Sequence, residues 1–199
     1  MVMDAKAISK VKLNEFDASI GLDRGASRIK EVTWYLFKML FFLTAFPFPS
    51  SLKVSLLRLF GAKVGKNVIL KPRVNIHFPW KLEMGNNVWI GEEVFILNFE
   101  KINIGDNVCI SQRAFLCGGN HDYRKPSMPF RNGPINLENG CWIGACCFIG
   151  PNVTIGIDSV ITVGSVITSD VKNNLICKRT GSDFEKERWK NTEEVVNLF

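Results

Sequence analysis

The sequence predicts a mainly β protein built as a parallel β-helix, a solenoid in which three short strands per turn make a triangular prism. Two observations carry this. From Met84 to Lys172, successive six-residue windows begin with an apolar residue: Met84, Ile90, Ile96, Ile104, Ile110, Leu116, Leu137, Ile143, Ile149, Ile155, Ile161 and Ile167, with weaker windows before them at Val64, Leu70 and Ile76. A period of six suits neither an amphipathic helix nor a half-buried strand repeating every two, and it is the period of hexapeptide solenoids. The second observation is the fifth position, which is mostly small or β-branched (Val68, Val74, Val88, Val94, Val108, Ala114, Cys141, Cys147, Val153, Ser159, Ser165, Val171). Second positions are often Gly, as at Gly85, Gly91 and Gly105, which suggests corners where φ turns positive.

Eighteen residues make one coil, giving about five, at 64–81, 84–101, 104–121, 137–154 and 155–172. At the spacing of neighbouring strands, roughly 4.8 Å, the prism is on the order of 24 Å tall. Leu82-Glu83 and Ile102-Asn103 read as short insertions between coils, and 122–136 as a long one. The chain thus divides into an N-terminal arm with apolar helices (1–62), the hexapeptide β-helix (63–172) and a C-terminal tail (173–199).

Residues 1–25 are polar and without period, which predicts an arm. A helix opens at Ser27 and runs to Phe46, where Pro47 and Pro49 end it. A second runs from Ser51 to Phe60, with Ser50 as its cap, Leu52, Leu56 and Leu59 on one face and Gly61 as its stop. The first helix is apolar nearly all round. Three placements fit it: packed across the open end of the solenoid, lying in a membrane interface, or spanning a bilayer, the last disfavoured by its length and by Lys38. The insertion Asp122–Asn136, rich in Pro and charge, reads as a functional loop walling a pocket. Beyond Lys172, Ser182-Asp183-Phe184-Glu185 reads as a capping box opening a final helix to about Leu198.

Net charge is +6 and lopsided: residues 1–82 carry +9, residues 83–199 carry −3. The basic excess of the first part would suit anionic lipid. Six cysteines sit mostly at repeat positions and no secretory signal precedes them, so reduced thiols and a cytoplasmic location are expected, with peripheral contact at the inner membrane face through 27–60 as one possibility.

His121, between Asn120 and Asp122 at the mouth of the long loop, has the half-exposed setting of a general base. His77, before Phe78-Pro79-Trp80, reads rather as structural. Two histidines are too few for a three-histidine zinc site, and there is no Cys-x-x-Cys, phosphate loop or nucleophile elbow, so no metal is expected. Direct transfer with a histidine base remains.

The repeat, together with Asn120-His121-Asp122-Tyr123, Val88-Trp89-Ile90-Gly91, Cys141-Trp142-Ile143-Gly144, Gly150-Pro151-Asn152-Val153-Thr154-Ile155-Gly156 and Gly164-Ser165-Val166-Ile167-Thr168, resembles the hexapeptide-repeat O-acetyltransferases of the maltose and galactoside acetyltransferase group. Within it, Leu59-Phe60-Gly61-Ala62 and Phe78-Pro79-Trp80 resemble the acetyltransferases assigned to colanic acid biosynthesis. The resemblance covers about residues 27–172. It implies a left-handed parallel β-helix, a homotrimer with a site in each cleft between prisms, and acetyl-CoA as donor. His121 would be the base acting on a sugar hydroxyl, with Asn98, Asp122 and Tyr123 on the acceptor side. Trp142, Ala145, Val163 and Thr168 would lie along the donor. The departure is at 173–181, where the family's Gly-Asn-Pro-Ala type segment is replaced; Lys178 and Arg179 there could meet CoA phosphates. The implied activity is sugar O-acetylation in surface polysaccharide assembly, on a small-molecule or lipid-linked acceptor. Its rivals are another acyl donor, an amino-sugar acceptor, or a noncatalytic trimeric scaffold.

Overall fold

The computed structural model of the chain describes residues 10–180 and 182–187. Its parallel strands form three sheets, one on each face of a prism. The first face stacks Lys63–Val64, Leu82–Met84, Ile102–Ile104, Ile135–Leu137 and Val153–Ile155. The second stacks Ile69–Leu70, Trp89–Ile90, Cys109–Ile110, Trp142–Ile143, Val160–Ile161 and Leu175–Thr180. The third stacks Asn75–Ile76, Phe95–Leu97, Phe115–Cys117, Phe148–Ile149 and Val166–Ile167. Five coils are complete. A sixth begins, with Val171 bridged to Ile155 and Leu175–Thr180 paired to Val160–Ile161.

The period of six is the cause of this stacking. Leu70, Ile90, Ile110, Ile143, Ile161 and Cys177 oppose one another down the second face, so each coil adds one apolar side chain to each of three interior columns. All the first-position residues are buried except Val64, which is half-buried, and the twelve small or β-branched fifth-position residues are all buried. Each such Ile or Leu contributes about 1.5–3 kcal/mol. Even Ser159 fits, because its hydroxyl donates to Lys172 O (2.7 Å) and accepts from Leu175 N (3.1 Å). Leu82 and Ile102 are not insertions outside the repeat: with Ile135 they form a buried row that lengthens the first-face strands to three residues.

The glycines have a different cause from the one expected. Positive φ falls at the fourth position of the window, at Asn67, Asn87, Asn107, Asn152 and Asp158 among others, where Asn and Asp tolerate it. Second-position glycines lack it, and all but Gly150 are instead demanded by the close approach of the next coil. A Cβ on Gly85 would lie 2.3 Å from Asp106 Oδ1 and 2.8 Å from Gly105 C.

The N-terminal part closes one end of the prism. Helix α1 (Arg28–Phe37) is capped by Ser27, whose hydroxyl accepts from Lys30 N, and passes into a π-helical turn at Lys38–Phe42 before the chain bends short of Pro47. Its inner stripe is buried. Trp34 places its indole N–H on Ile76 O (3.1 Å) and His77 O (3.0 Å), with Phe42 and Phe60 against the ring. Helix α2 (Ser50–Leu59) follows. Ser50 does not cap it; its hydroxyl accepts from Leu70 N (3.0 Å) on the first coil. The buried face of α2 is Lys53, Val54, Leu56 and Leu57, while Leu52 and Leu59 are exposed, so the face read from the sequence is corrected. Lys53 is fully buried and donates to Lys71 O (3.0 Å), and burial lowers its pKa. The two helices therefore supply donors to carbonyls that the first coil has no further coil to satisfy. Of the three placements, packing across the open end is the one observed. No helix among the described residues is long and apolar enough to cross a membrane.

At the other end the expected helix is also corrected. Ser182–Glu187 is a strand, antiparallel to Leu175–Thr180 and covering the last edge of the second face. The pairing competes with the capping box and wins because it satisfies an otherwise bare strand edge. The rest of that expected helix lies outside the described residues.

Candidate active site

His121 sits where the third coil passes from the third face to the first, after Phe115–Cys117. The insertion that follows doubles back on it: His121 bridges Phe130, Asp122 N donates to Pro129 O (2.8 Å) and Arg131 N to Asn120 O (2.8 Å). This return brings Met128 O to 2.6 Å from His121 Nδ1. A carbonyl can only accept, so Nδ1 carries a proton, and the neutral form of the ring is thereby the tautomer with its lone pair on Nε2. The ring is clamped by Phe130, stacked at 4.9 Å, and by the edge of Phe16 at 5.4 Å. Its backbone N–H donates to Asn120 Oδ1 (2.8 Å). A neutral imidazole with a fixed tautomer and a free Nε2 can take a proton from a hydroxyl placed before it.

Phe16 belongs to the described part of the arm, which is tied down. Lys12 N donates to Pro126 O (2.9 Å), Asn132 Nδ2 to Gly21 O (3.2 Å), and Trp80 Nε1 to Arg24 O (2.6 Å), so residues 12–24 are laid over the loop and the first coil. Neither Phe16 nor Met128 O was legible in the sequence. The arm has no period, and a backbone carbonyl carries no residue signature. A signal for Phe16 did exist, a lone aromatic residue in a polar segment.

The acceptor-side residues share this corner of the prism and differ in what they offer. Asn98 is fully buried one coil earlier, its Oδ1 accepting from Phe78 N (2.8 Å) and its Nδ2 donating to Phe78 O (2.5 Å), so its amide holds Phe78 in place. Asp122 is gripped at both oxygens by Arg124 (2.7 and 3.1 Å), and that guanidinium lowers its pKa. Tyr123 is exposed. His77 lies along the same edge, joined to His121 by a row of rings through Phe99 and Phe130. Burial first, then Lys38 and Arg24, pushes its pKa down to about 4, so it stays neutral and uncharged inside this wall.

The donor-side residues lie elsewhere on the prism. Trp142 stands half-exposed on the second face, its indole N–H on Ser111 Oγ (2.9 Å). Ala145 and Val163 follow at the corner between second and third faces, where Gly164 N donates to Ala145 O (2.9 Å) and Val163 is exposed. Lys178, exposed, and Arg179 belong to the second-face strand of the sixth coil. Thr168, exposed, is at the corner that carries His121, two coils further on. Apart from Thr168, one chain therefore carries its base and its donor-side candidates on different edges. Among the described residues no group of three or more His, Cys, Asp or Glu could hold a metal ion.

No family model matches the chain. It is 34% identical over 165 residues to the protein of Escherichia coli K12 named "Putative colanic acid biosynthesis acetyltransferase WcaF", covering 83% of this chain and 91% of that one. Its fold is similar to that of a galactoside acetyltransferase solved in complex with coenzyme A, at 26% identity and a TM-score of 0.71 over 86% of each chain. It is also similar to a hexapeptide-repeat-containing acetyltransferase of Vibrio cholerae, at 23% identity and a TM-score of 0.73 over 81% of this chain and 92% of that chain. With a relative this similar over nearly its whole length, and with the coil architecture on the page, the chain belongs to the hexapeptide-repeat acetyltransferases, alongside WcaF.

Proposed function

We propose that the protein transfers the acetyl group of acetyl-CoA to a hydroxyl of a sugar, with His121 as general base. The observation that carries this is the Nδ1–H bond to Met128 O, which leaves Nε2 free and aimed away from its own backbone partner. Nε2 takes the hydroxyl proton as the oxygen attacks the thioester carbonyl carbon. The new C–O bond forms, the C–S bond breaks, and CoA leaves with the electron pair and receives the proton from the imidazolium. Backbone N–H groups facing the cleft would hold the oxyanion in between. No covalent enzyme intermediate and no metal is needed.

The donor is drawn from solved structures whose names specify coenzyme A or acetyl-CoA complexes, and the acceptor class from the colanic acid biosynthesis name of WcaF; the acceptor proposed is an intermediate of surface polysaccharide, free or lipid-linked. The homotrimer that the family resemblance implies is supported by the separation of the two half-sites: the donor-side edge of one prism, with Trp142, Ala145 and Val163, would meet His121 of a neighbouring copy. The third face is suited to such contact, since Phe95, Phe115 and Phe148 form an outward, half-buried ladder with the first two stacked at 4.8 Å. On the acceptor side, Asn98 acts through Phe78, Asp122 through Arg124, and Tyr123 offers its hydroxyl directly. Thermal unfolding with and without acetyl-CoA, on the natural chain and on His121→Ala, tests the donor site. Both proteins gain about 2.7 kcal/mol at a hundred times Kd; stabilisation of neither, with the trimer intact, overturns the reading.

A further inference from the structure

The end of the prism closed by the two helices has an outer face that no described residue covers. At 100° per residue, Ile29, Val32 and Leu36 centre on the side of α1 opposite Trp34, and exposed Leu40 and Leu43 carry the apolar surface on into the π-helical turn and the bend after it. They are open to solvent: Ile29 is 81% exposed, Leu36 62% and Leu40 61%. No exposed side chain from Ile29 to Pro47 is charged. On α2 the outward residues include Leu52 and Leu59. An apolar stripe of this length on a capping helix would normally be buried.

The charge around it selects the occupant. Residues 27–73 carry nine basic side chains against the single acid Glu31. Lys30, Arg58, Lys66 and Lys71 form no ion pair with any carboxylate among the described residues. A second copy docked end to end would press two such basic rims together with nothing to neutralise them. Neighbours packed side by side through prism faces would leave this end open. An anionic surface with an apolar interior answers both features. We propose that this end of the molecule docks on an anionic lipid bilayer, the stripe set into the boundary between headgroups and acyl chains and the basic rim against lipid headgroups. This goes beyond the transfer reaction and depends on neither His121 nor the donor site.

The test is flotation of the full chain with vesicles of phosphatidylglycerol and phosphatidylethanolamine, beside phosphatidylcholine vesicles, at low and high salt. The natural protein floats with the anionic vesicles at low salt and is released at high salt. Leu36→Asp/Leu40→Asp, which touches only exposed positions and keeps the denaturation midpoint, weakens binding by at least about tenfold. Lys66→Glu/Lys71→Glu removes the preference for anionic vesicles. Absence of flotation with anionic vesicles, or equal flotation of the Leu36→Asp/Leu40→Asp protein, overturns the proposal. So does lipid-free sedimentation in which that double variant has a smaller assembly mass than the natural chain, because a second copy would then own the stripe.

Discussion

Replacing Gly85 by Ala separates the two causes a repeat glycine could have. The position does not have positive φ, so alanine meets no backbone penalty of its own. The new Cβ would instead lie 2.3 Å from Asp106 Oδ1 and 2.8 Å from both Asp106 N and Gly105 C, inside any real contact. Relief requires Asp106 to move. Its carboxylate accepts from Asn86 N (2.5 Å) and Asn86 Nδ2 (3.1 Å), and its own N–H donates to Asn139 Oδ1 (2.8 Å), so the shift propagates over three coils. Overpacking of this kind costs about 1–3 kcal/mol, and weakening one or two such hydrogen bonds adds about 1 more, for a total of roughly 2–4 kcal/mol. Gly150→Ala is the control. It occupies the same repeat position, and its added Cβ would meet nothing nearer than Ile167 O at 3.4 Å, so its stability should change by less than about 0.5 kcal/mol. Urea unfolding followed by circular dichroism reads both. Equal losses in the two variants would refute close coil approach as the reason for glycine here.

Three further outcomes follow from the packing and the site. The unfolded chain takes a proton on His77 near pH 6.5 but the folded chain only near pH 4, so stability from this residue is full above pH 6.5 and falls as pH drops toward 4, by about 2–3 kcal/mol in all. A His77→Gln protein measured over that range shows a correspondingly flatter profile. Trp34→Ala empties the buried seat between α1 and the first coil and should cost about 3–5 kcal/mol in denaturant unfolding. Phe16→Ala frees one side of the His121 ring, and is expected to lower kcat about tenfold while shifting the unfolding free energy by less than about 1 kcal/mol.

The solenoid was legible because its determinant is local and repeated: one apolar side chain in six, summed over five coils, admits few other folds. Gly85 marks the limit of that reading, since the sequence says that the site must be small but not whether φ or a neighbouring coil demands it. The α2 face was misread for a similar reason. Leu52 and Leu59 are more apolar than Lys53, yet the carbonyls of Leu70 and Lys71 at the end of a solenoid need a donor, and a lysine supplies it. At Ser182–Glu187 a good capping box lost to an open strand edge, a tertiary demand that a local motif cannot register. His121 could be singled out from its neighbours Asn120 and Asp122 and its place before the loop. What fixes its tautomer, the Met128 carbonyl, and what closes over it, Phe16 from more than a hundred residues earlier, are products of the fold alone.

Transfer of label from [acetyl-¹⁴C]acetyl-CoA to a panel of sugars and to lipid-linked oligosaccharide, by the natural chain and by His121→Asn, tests the central claim most directly. The account predicts labelled product whose acetyl group is released by mild alkali, as an ester is, and a rate lower by at least about a hundredfold in the variant. Label resistant to mild alkali would mean an amide and a nitrogen acceptor. A variant as fast as the natural chain would remove His121 as the base, and no transfer to any acceptor would contradict the proposed reaction.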